Sequence, residues 1–165
     1  MSNLTSVFDI VTRDPHPNAL ASLMVILDVD SPPAVTDPGT PAPGSIAPGM
    51  IVEMNSSGKL ILGTSTGNVT ATAPKMYLVA VDGDIDYDGA FLHRVTCLEG
   101  GLQMKTDQFV TATYTPGQPL TVGTGGTAGK LLGLTGADEP VLGWVGPDGL
   151  SNGVLDVIMP QGCGR

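Results

Sequence analysis

The sequence predicts an all-β fold: a small β-sandwich or barrel-like domain with an extended N-terminal arm and very little helix. Three observations lead there. The 165 residues include 23 glycines and 14 prolines, which punctuate the chain every few positions. Between them lie short apolar runs, alternating or continuous, and no apolar period of helical spacing is sustained. With only three Phe, three Tyr and one Trp, most of the core must come from Val, Leu, Ile and Met. A chain of this length makes one domain, or one domain with an arm.

In chain order, Val7 to Val11 alternates like a strand and is broken by Asp14-Pro15-His16-Pro17. Ala19 to Asp30 ends in LMVILDV before Ser-Pro-Pro, a composition that favours a strand over a helix. Residues 31–48 carry prolines at 32, 33, 38, 41, 43 and 48, which suits extended backbone and neither a helix nor a central strand. The expected organisation is an N-terminal arm and Pro-rich connector over 1–45, a β-domain over 46–160 and a tail over 161–165.

The β-domain is organised around Pro48 to Gly63, PGMIVEMNSSGKLILG. A three-residue loop, Ser56-Ser57-Gly58 with Gly58 left-handed, sets Asn55 opposite Lys59, Met54 opposite Leu60 and Val52 opposite Leu62. Met50, Val52, Met54, Leu60 and Leu62 then share one apolar face, with Glu53, Asn55 and Lys59 on the other. A two- or four-residue loop would mix Lys59 into the apolar set. Pro116 to Val145 repeats the order Pro-Gly, apolar run, Gly-rich loop, Gly-Lys-Leu and closing strand. The closing strands are Tyr77 to Val81 and Val141 to Val145. Loop lengths differ between the copies, so this is a structural echo and not a solenoid period. Between the copies, Ala90 to Glu99 is read as a strand, Gly100-Gly101 as a two-residue hairpin turn, and Leu102 to Lys105 as its return. Phe109 to Tyr114 alternates, and Gly153 to Met159 is a last strand stopped by Pro160.

Charge excludes one class of function. The formal net charge is −9, and the seven basic residues are dispersed from Arg13 to Arg165, so no cationic stripe is set against phosphates. No nucleic acid and no membrane partner is expected: the longest apolar run, Leu23 to Leu27, is too short to span a bilayer. Met1 to Arg13 lacks the pattern of a signal peptide. Cys97 and Cys163 show no metal-ligand spacing, and their pairing is left open.

Three patterns look chemical. Gly63-Thr64-Ser65-Thr66-Gly67 has the GxSxG letters, but a β-like, Pro-closed stretch follows where a nucleophile elbow needs a helix. The histidines, His16 and His93, lie in a Pro-flanked turn and a strand. GTGGTAGK (123–130) resembles a phosphate loop but carries Leu131 where the hydroxyl ligand belongs, and reads as a flexible hairpin loop. Asp84, Asp86 and Asp88 open like a calcium loop, but Val95 stands where its bidentate acid would be. They are weak metal candidates, and an alternating strand with acids facing water is the preferred reading. His93 and Cys97 share a strand face without further ligands. Trp144 reads as a core or subunit-interface anchor. No catalytic residue and no cofactor is expected.

Pro119-Leu120-Thr121-Val122, Gly129-Lys130-Leu131-Leu132 and Val141-Leu142-Gly143-Trp144-Val145 resemble the head decoration proteins of tailed phages, the lambda type in particular. The stretch from Ala47-Pro48-Gly49-Met50 to Gly58-Lys59-Leu60 resembles the same pattern. The likeness covers residues 40–145. This chain departs from it through the acidic insertion and hairpin between Val81 and Pro116 and through a longer N-terminal segment. The resemblance implies a β-tulip-type domain and a homotrimer that stabilises the mature capsid by binding the major capsid protein. It places the protein on the outer surface of the virion, made in the host cytoplasm, with no catalysis. Val7, Phe8, Ile10, Val11 and Trp144 are the expected capsid or subunit contacts, because the first four lie across the connector from the main core. The alternative is a carbohydrate- or Ca²⁺-binding β-module of a phage fibre or surface protein.

Overall fold

The computed structural model describes residues 8–13, 25–28, 46–65, 76–81 and 94–160. The described strands are, in chain order, β1 (Phe8–Arg13), β2 (Val25–Asp28), β3 (Ile51–Met54), β4 (Leu60–Leu62), β5 (Tyr77–Ala80), β6 (Arg94–Leu98), β7 (Leu102–Thr106), β8 (Pro119–Val122), β9 (Leu131–Gly133), β10 (Gly143–Ser151) and β11 (Val154–Met159). The fold is all-β: among the described residues a single 3-10 turn, Gly125–Thr127, is the only helical element. All strand pairs are antiparallel, and they form two sheets. One sheet has the order β2-β6-β5-β3-β4 and the other β1-β7-β11-β10-β8-β9.

The two sheets pack face to face as a small sandwich. Ile51, Tyr77, Val79 and Leu98 of the five-stranded sheet meet Met104, Leu120, Val122, Val145, Leu155 and Val157 of the six-stranded one. The opposite face of the five-stranded sheet is apolar as well: Val52, Leu60, Leu78, Ala80, Val95 and Cys97 form a second buried cluster with Ile46. Burial on both faces explains the unbroken apolar run Tyr77-Leu78-Val79-Ala80, all four residues of which are buried.

The first hairpin has the expected register. Val52 pairs with Leu62 and Met54 with Leu60, Gly58 has φ 75°, and Asn55 N–H donates to the Lys59 carbonyl at 2.8 Å. The Asn55 side chain also accepts from the N–H groups of Ser57 and Lys59, closing the loop from within. The face assigned to Glu53 is not a solvent face, however. Glu53 is buried, and its Oε2 accepts the Thr64 N–H at 2.9 Å.

The repeated motif has become a repeated topology. Numbered from their own starts, β2–β6 and β7–β11 both have the strand order 1-5-4-2-3. Pro48-Gly49 and Pro116-Gly117 make the same turn, with φ 83° and 82° at the glycines. Met50 N–H to Ala47 O (3.1 Å) matches Gln118 N–H to Thr115 O (2.9 Å), and Gly49 N–H to Ala80 O matches Gly117 N–H to Val145 O, both 2.8 Å. Ala80 N–H to Met50 O likewise matches Val145 N–H to Gln118 O, both 2.9 Å. Past the hairpins, Gly63 N–H to Ile51 O (2.9 Å) matches Leu134 N–H to Pro119 O (3.0 Å). The Gly-rich loop of the second unit is pinned to the first: Ile51 N–H donates to Gly129 O and Gly129 N–H to Gly63 O, each at 2.8 Å.

Four expectations are corrected. Gly100-Gly101, with φ 96° and 68°, does not make a hairpin; β6 and β7 lie in different sheets, and the glycines carry the chain from one unit to the next. Phe109 to Tyr114 is not a strand. Tyr114 curls this segment back, its hydroxyl donating to the Val110 carbonyl at 2.6 Å and its ring edge-on to Phe109. The closing strand of the second unit does not stop at Val145 but runs to Ser151, turning through Asn152-Gly153 (φ 52° and 76°) into β11. Finally, residues 8–13 are not detached from the domain: β1 pairs with β7, and Phe8 and Ile10 pack against the main core. Both N-terminal strands sit at sheet edges, β1 beside β7 and β2 beside β6.

Candidate functional site

The outer face of the six-stranded sheet is the most distinctive described surface. Strand alternation sends Leu155, Val157 and Met159 into the core and Asp156 and Ile158 outward. On β10, Val145 points in and Trp144 points out. Trp144 lies directly opposite Ile158 on one side and Pro119 on the other, and Ile158 lies opposite Gln103. Trp144 and Ile158 remain 40% and 42% exposed, which large apolar side chains in a sandwich ordinarily avoid. Beyond Gln103, β1 carries a register shift between Ile10 and Thr12, where Val11 is 43% exposed.

One step along the strands, the same face turns polar. The buried Asp156 carboxylate accepts from Gln103 Nε2 at 2.9 and 3.2 Å and from the Asp148 N–H at 3.1 Å. Those bonds hold the irregular stretch of β10 between Val145 and Leu150, and Gly146 is needed beneath them because a Cβ there would strike the carboxylate. Lys105 Nζ meets Asp148 Oδ2 at 2.8 Å, and this hydrogen bond holds the lysine pKa above its ordinary value. The face therefore has an uncharged row, Pro119–Trp144–Ile158, and a charged end.

No protein-family model, no curated protein and no solved structure matches this chain. The surface must be read from its own chemistry.

Of the expected contact residues, Trp144 and Val11 are exposed on this sheet, whereas Phe8 and Ile10 are half-buried against the chain's own core. Val7 lies outside the described residues, as do Asp84, Asp86 and Asp88, both histidines, Cys163 and the end of the GxSxG stretch. Cys97 is buried in the second cluster. Among the described residues no group of His, Cys, Asp and Glu is arranged to hold a metal ion. Thr64, inside the GxSxG letters, serves structure: its N–H goes to Glu53 and its carbonyl accepts the Tyr77 hydroxyl at 2.6 Å. No helix among the described residues is long and apolar enough to cross a membrane.

Sequence reasoning found Trp144 but missed Ile158. The signal was present: in VLDVIM, the alternation that buries Leu155, Val157 and Met159 must turn Ile158 outward beside Asp156.

Proposed function

We propose that this protein is a structural binding protein of a phage virion, docking as a trimer on the outer surface of the mature capsid and stabilising it. The observation that carries this reading is the exposed pair Trp144 and Ile158, flanked by the half-buried Pro119, on a sheet of an otherwise acidic chain. Aromatic and aliphatic anchors with few charges are what protein interfaces use at their centres. An acidic exterior suits the outside of a shell that encloses DNA. The likeness of its Pro-Gly and Gly-Lys-Leu motifs to phage head decoration proteins points the same way. Repetition of a weak contact by a trimer raises avidity roughly 10²- to 10⁴-fold where the geometry allows it.

The test mixes the purified protein with expanded capsids that lack a decoration protein and measures uptake by sedimentation. Saturable binding in multiples of three, with capsids that withstand heating better, is expected. Capsids that take up none would overturn the reading. A melting temperature that rises by many degrees with Ca²⁺ and falls with EDTA would favour the ion- or carbohydrate-binding module instead.

A further inference from the structure

The chain has five asparagines, and Asn152 alone is followed by glycine. Asn152 and Gly153 form the two-residue loop between β10 and β11, at φ 52° and 76°, and both are exposed. Among the described residues Asn152 is the only non-glycine with positive φ, a backbone state that an L-residue holds under strain. The loop hangs on two pairs, Leu150 with Leu155 and Ser151 with Val154, and the register of β10 is irregular from there back to Val145. Among the described residues neither the Asn152 side chain nor the Gly153 N–H has a hydrogen-bond partner. The space that a Cβ of Gly153 would occupy is open.

Asn55 opens another exposed turn and is held differently. Its Oδ1 accepts the Ser57 N–H at 2.9 Å and the Lys59 N–H at 3.0 Å, and its own N–H donates to the Lys59 carbonyl. Its carboxamide is fixed by the loop that it closes, whereas that of Asn152 is unrestrained.

From this contrast we infer that Asn152-Gly153 is a site of spontaneous modification, where the Gly153 nitrogen closes on the Asn152 side chain and the asparagine becomes aspartate or isoaspartate. Hydroxide takes the Gly153 amide proton, and the nitrogen attacks Asn152 Cγ. The new N–Cγ bond forms, the Cγ–Nδ2 bond breaks, and Nδ2 leaves as ammonia with a proton from water. A five-membered imide then joins the two residues, and water opens it. Addition at Cγ gives aspartate in an ordinary backbone. Addition at the main-chain carbonyl leaves the peptide bond on the side chain, which is isoaspartate.

The attack requires Asn152 to leave its turn geometry so that Cγ meets the Gly153 nitrogen. That opening breaks only the two terminal pairs and releases the left-handed strain. Gly153 helps twice, since no Cβ shields its nitrogen and its backbone turns freely. Isoaspartate adds a carbon to the main chain of a two-residue loop, so Ser151 and Val154 lose the register that the loop sets. Either product adds a negative charge to a chain that already carries −9. The inference is independent of the proposed function.

The experiment keeps the purified full chain in mildly alkaline buffer, with a parallel sample unfolded in guanidinium chloride. Peptide mapping by mass spectrometry follows both, and enzymatic methylation detects isoaspartate. In the folded chain the peptide containing Asn152 should gain the mass by which a hydroxyl exceeds an amino group, and should become a substrate for methylation. Asparagine before glycine reacts readily in any unfolded chain, so the decisive quantity is how far folding slows each site. Folding should slow Asn55 by roughly tenfold or more beyond what it slows Asn152, the difference between a latched turn and one that opens locally. An Asn152 amide that persists in the folded chain while the unfolded chain converts it overturns the inference. Equal slowing of the two sites overturns it as well, because the Asn152 turn would then be no more open than the latched one.

Discussion

The two five-stranded units share strand order and hydrogen-bond register but differ in what surrounds them. In the first, both faces of the sheet are buried: Ile51, Val79 and Leu98 against the other sheet, and Val52, Leu78 and Val95 in a second cluster. In the second, one face makes the shared core and the other carries Trp144 and Ile158 outward. Matched positions have therefore diverged according to their surroundings. Glu53, counterpart of Thr121, is buried but hydrogen-bonded to Thr64, whereas the Thr121 hydroxyl is buried with no hydrogen-bond partner among the described residues. Backbone geometry is set by the local turn chemistry that both copies share. The cost of changing a side chain is set by what the other unit places against it.

The sharpest test of that separation uses the two Pro-Gly turns. Gly49 and Gly117 have the same positive φ, so an alanine at either meets the same left-handed strain of about 1–2 kcal/mol. A Cβ at Gly117 would meet open space, whereas one at Gly49 would strike the Thr106 side chain and press on Phe8. Thr106 cannot easily turn away, since its Oγ1 accepts the Gln108 N–H at 3.0 Å. Gly49→Ala is expected to cost about 3 kcal/mol or more and Gly117→Ala about 1 kcal/mol, measured by denaturant unfolding. Equal losses would mean that the junction near Thr106 yields.

A second pair compares the sheet faces. Val79→Ala leaves a cavity between the sheets and should lose about 2 kcal/mol. Trp144→Ala, at the matched position, removes a far larger side chain yet should cost the monomer no more than about 1–2 kcal/mol, because that side chain is 40% exposed and its loss leaves no closed cavity. Melting at concentrations too low for assembly separates the two. A larger loss for Trp144→Ala would show the row to be covered within the chain.

A third contrast is Tyr77, whose counterpart Leu142 has no hydroxyl. Burial first, and the nearby Glu53 second, push the Tyr77 phenol well above its ordinary pKa of 10.0. A group whose folded pKa is raised leaves stability whole below the unfolded value. Above pH 10 the unfolded chain sheds the proton more readily than the folded one, and stability falls. Absorbance titration should show Tyr77 resisting ionisation until the protein unfolds. Tyr77→Phe should remove that resistance and cost about 1 kcal/mol at neutral pH by orphaning the Thr64 carbonyl.

Much of this was legible where short-range chemistry decides. Asn55-Ser56-Ser57-Gly58 determined a loop length, and with it the pairing of Val52 and Met54. Pro-Gly and Gly-Lys-Leu announced the second copy. What escaped was non-local. Gly100-Gly101 looks the same whether the next strand returns to its own sheet or crosses to the other, and only the packing of Leu98 and Leu102 into a shared core distinguishes them. The docking of Phe8 and Ile10 is not legible, because a Pro-rich connector says nothing about where an edge strand docks. Trp144 looked like an anchor in either setting, since alternation assigns a face without saying whether that face is covered. The Asn152-Gly153 turn is legible, since Asn-Gly between apolar runs is a strong hairpin signal.

The smallest expected effect lies in the loop after β9. Glu139 closes this turn: its Oε2 accepts the Thr135 N–H at 2.9 Å and the Gly136 N–H at 3.1 Å, and the Thr135 hydroxyl lies within reach of both oxygens. The Thr135 N–H chiefly, with the other donors, holds the Glu139 pKa below its ordinary value of 4.5. A depressed folded pKa gives stability that is present above the unfolded value and is lost as pH falls through the lower folded one. The carboxylate is largely in water, so solvent screening keeps the contribution small. Glu139→Gln should therefore melt slightly below the parent at pH 7, and the gap should close as the solution is taken below the folded pKa, where the parent too is neutral. A gap that is unchanged across that range would mean that the glutamate acts through shape alone, and that charge-assisted bonding does not set the turn.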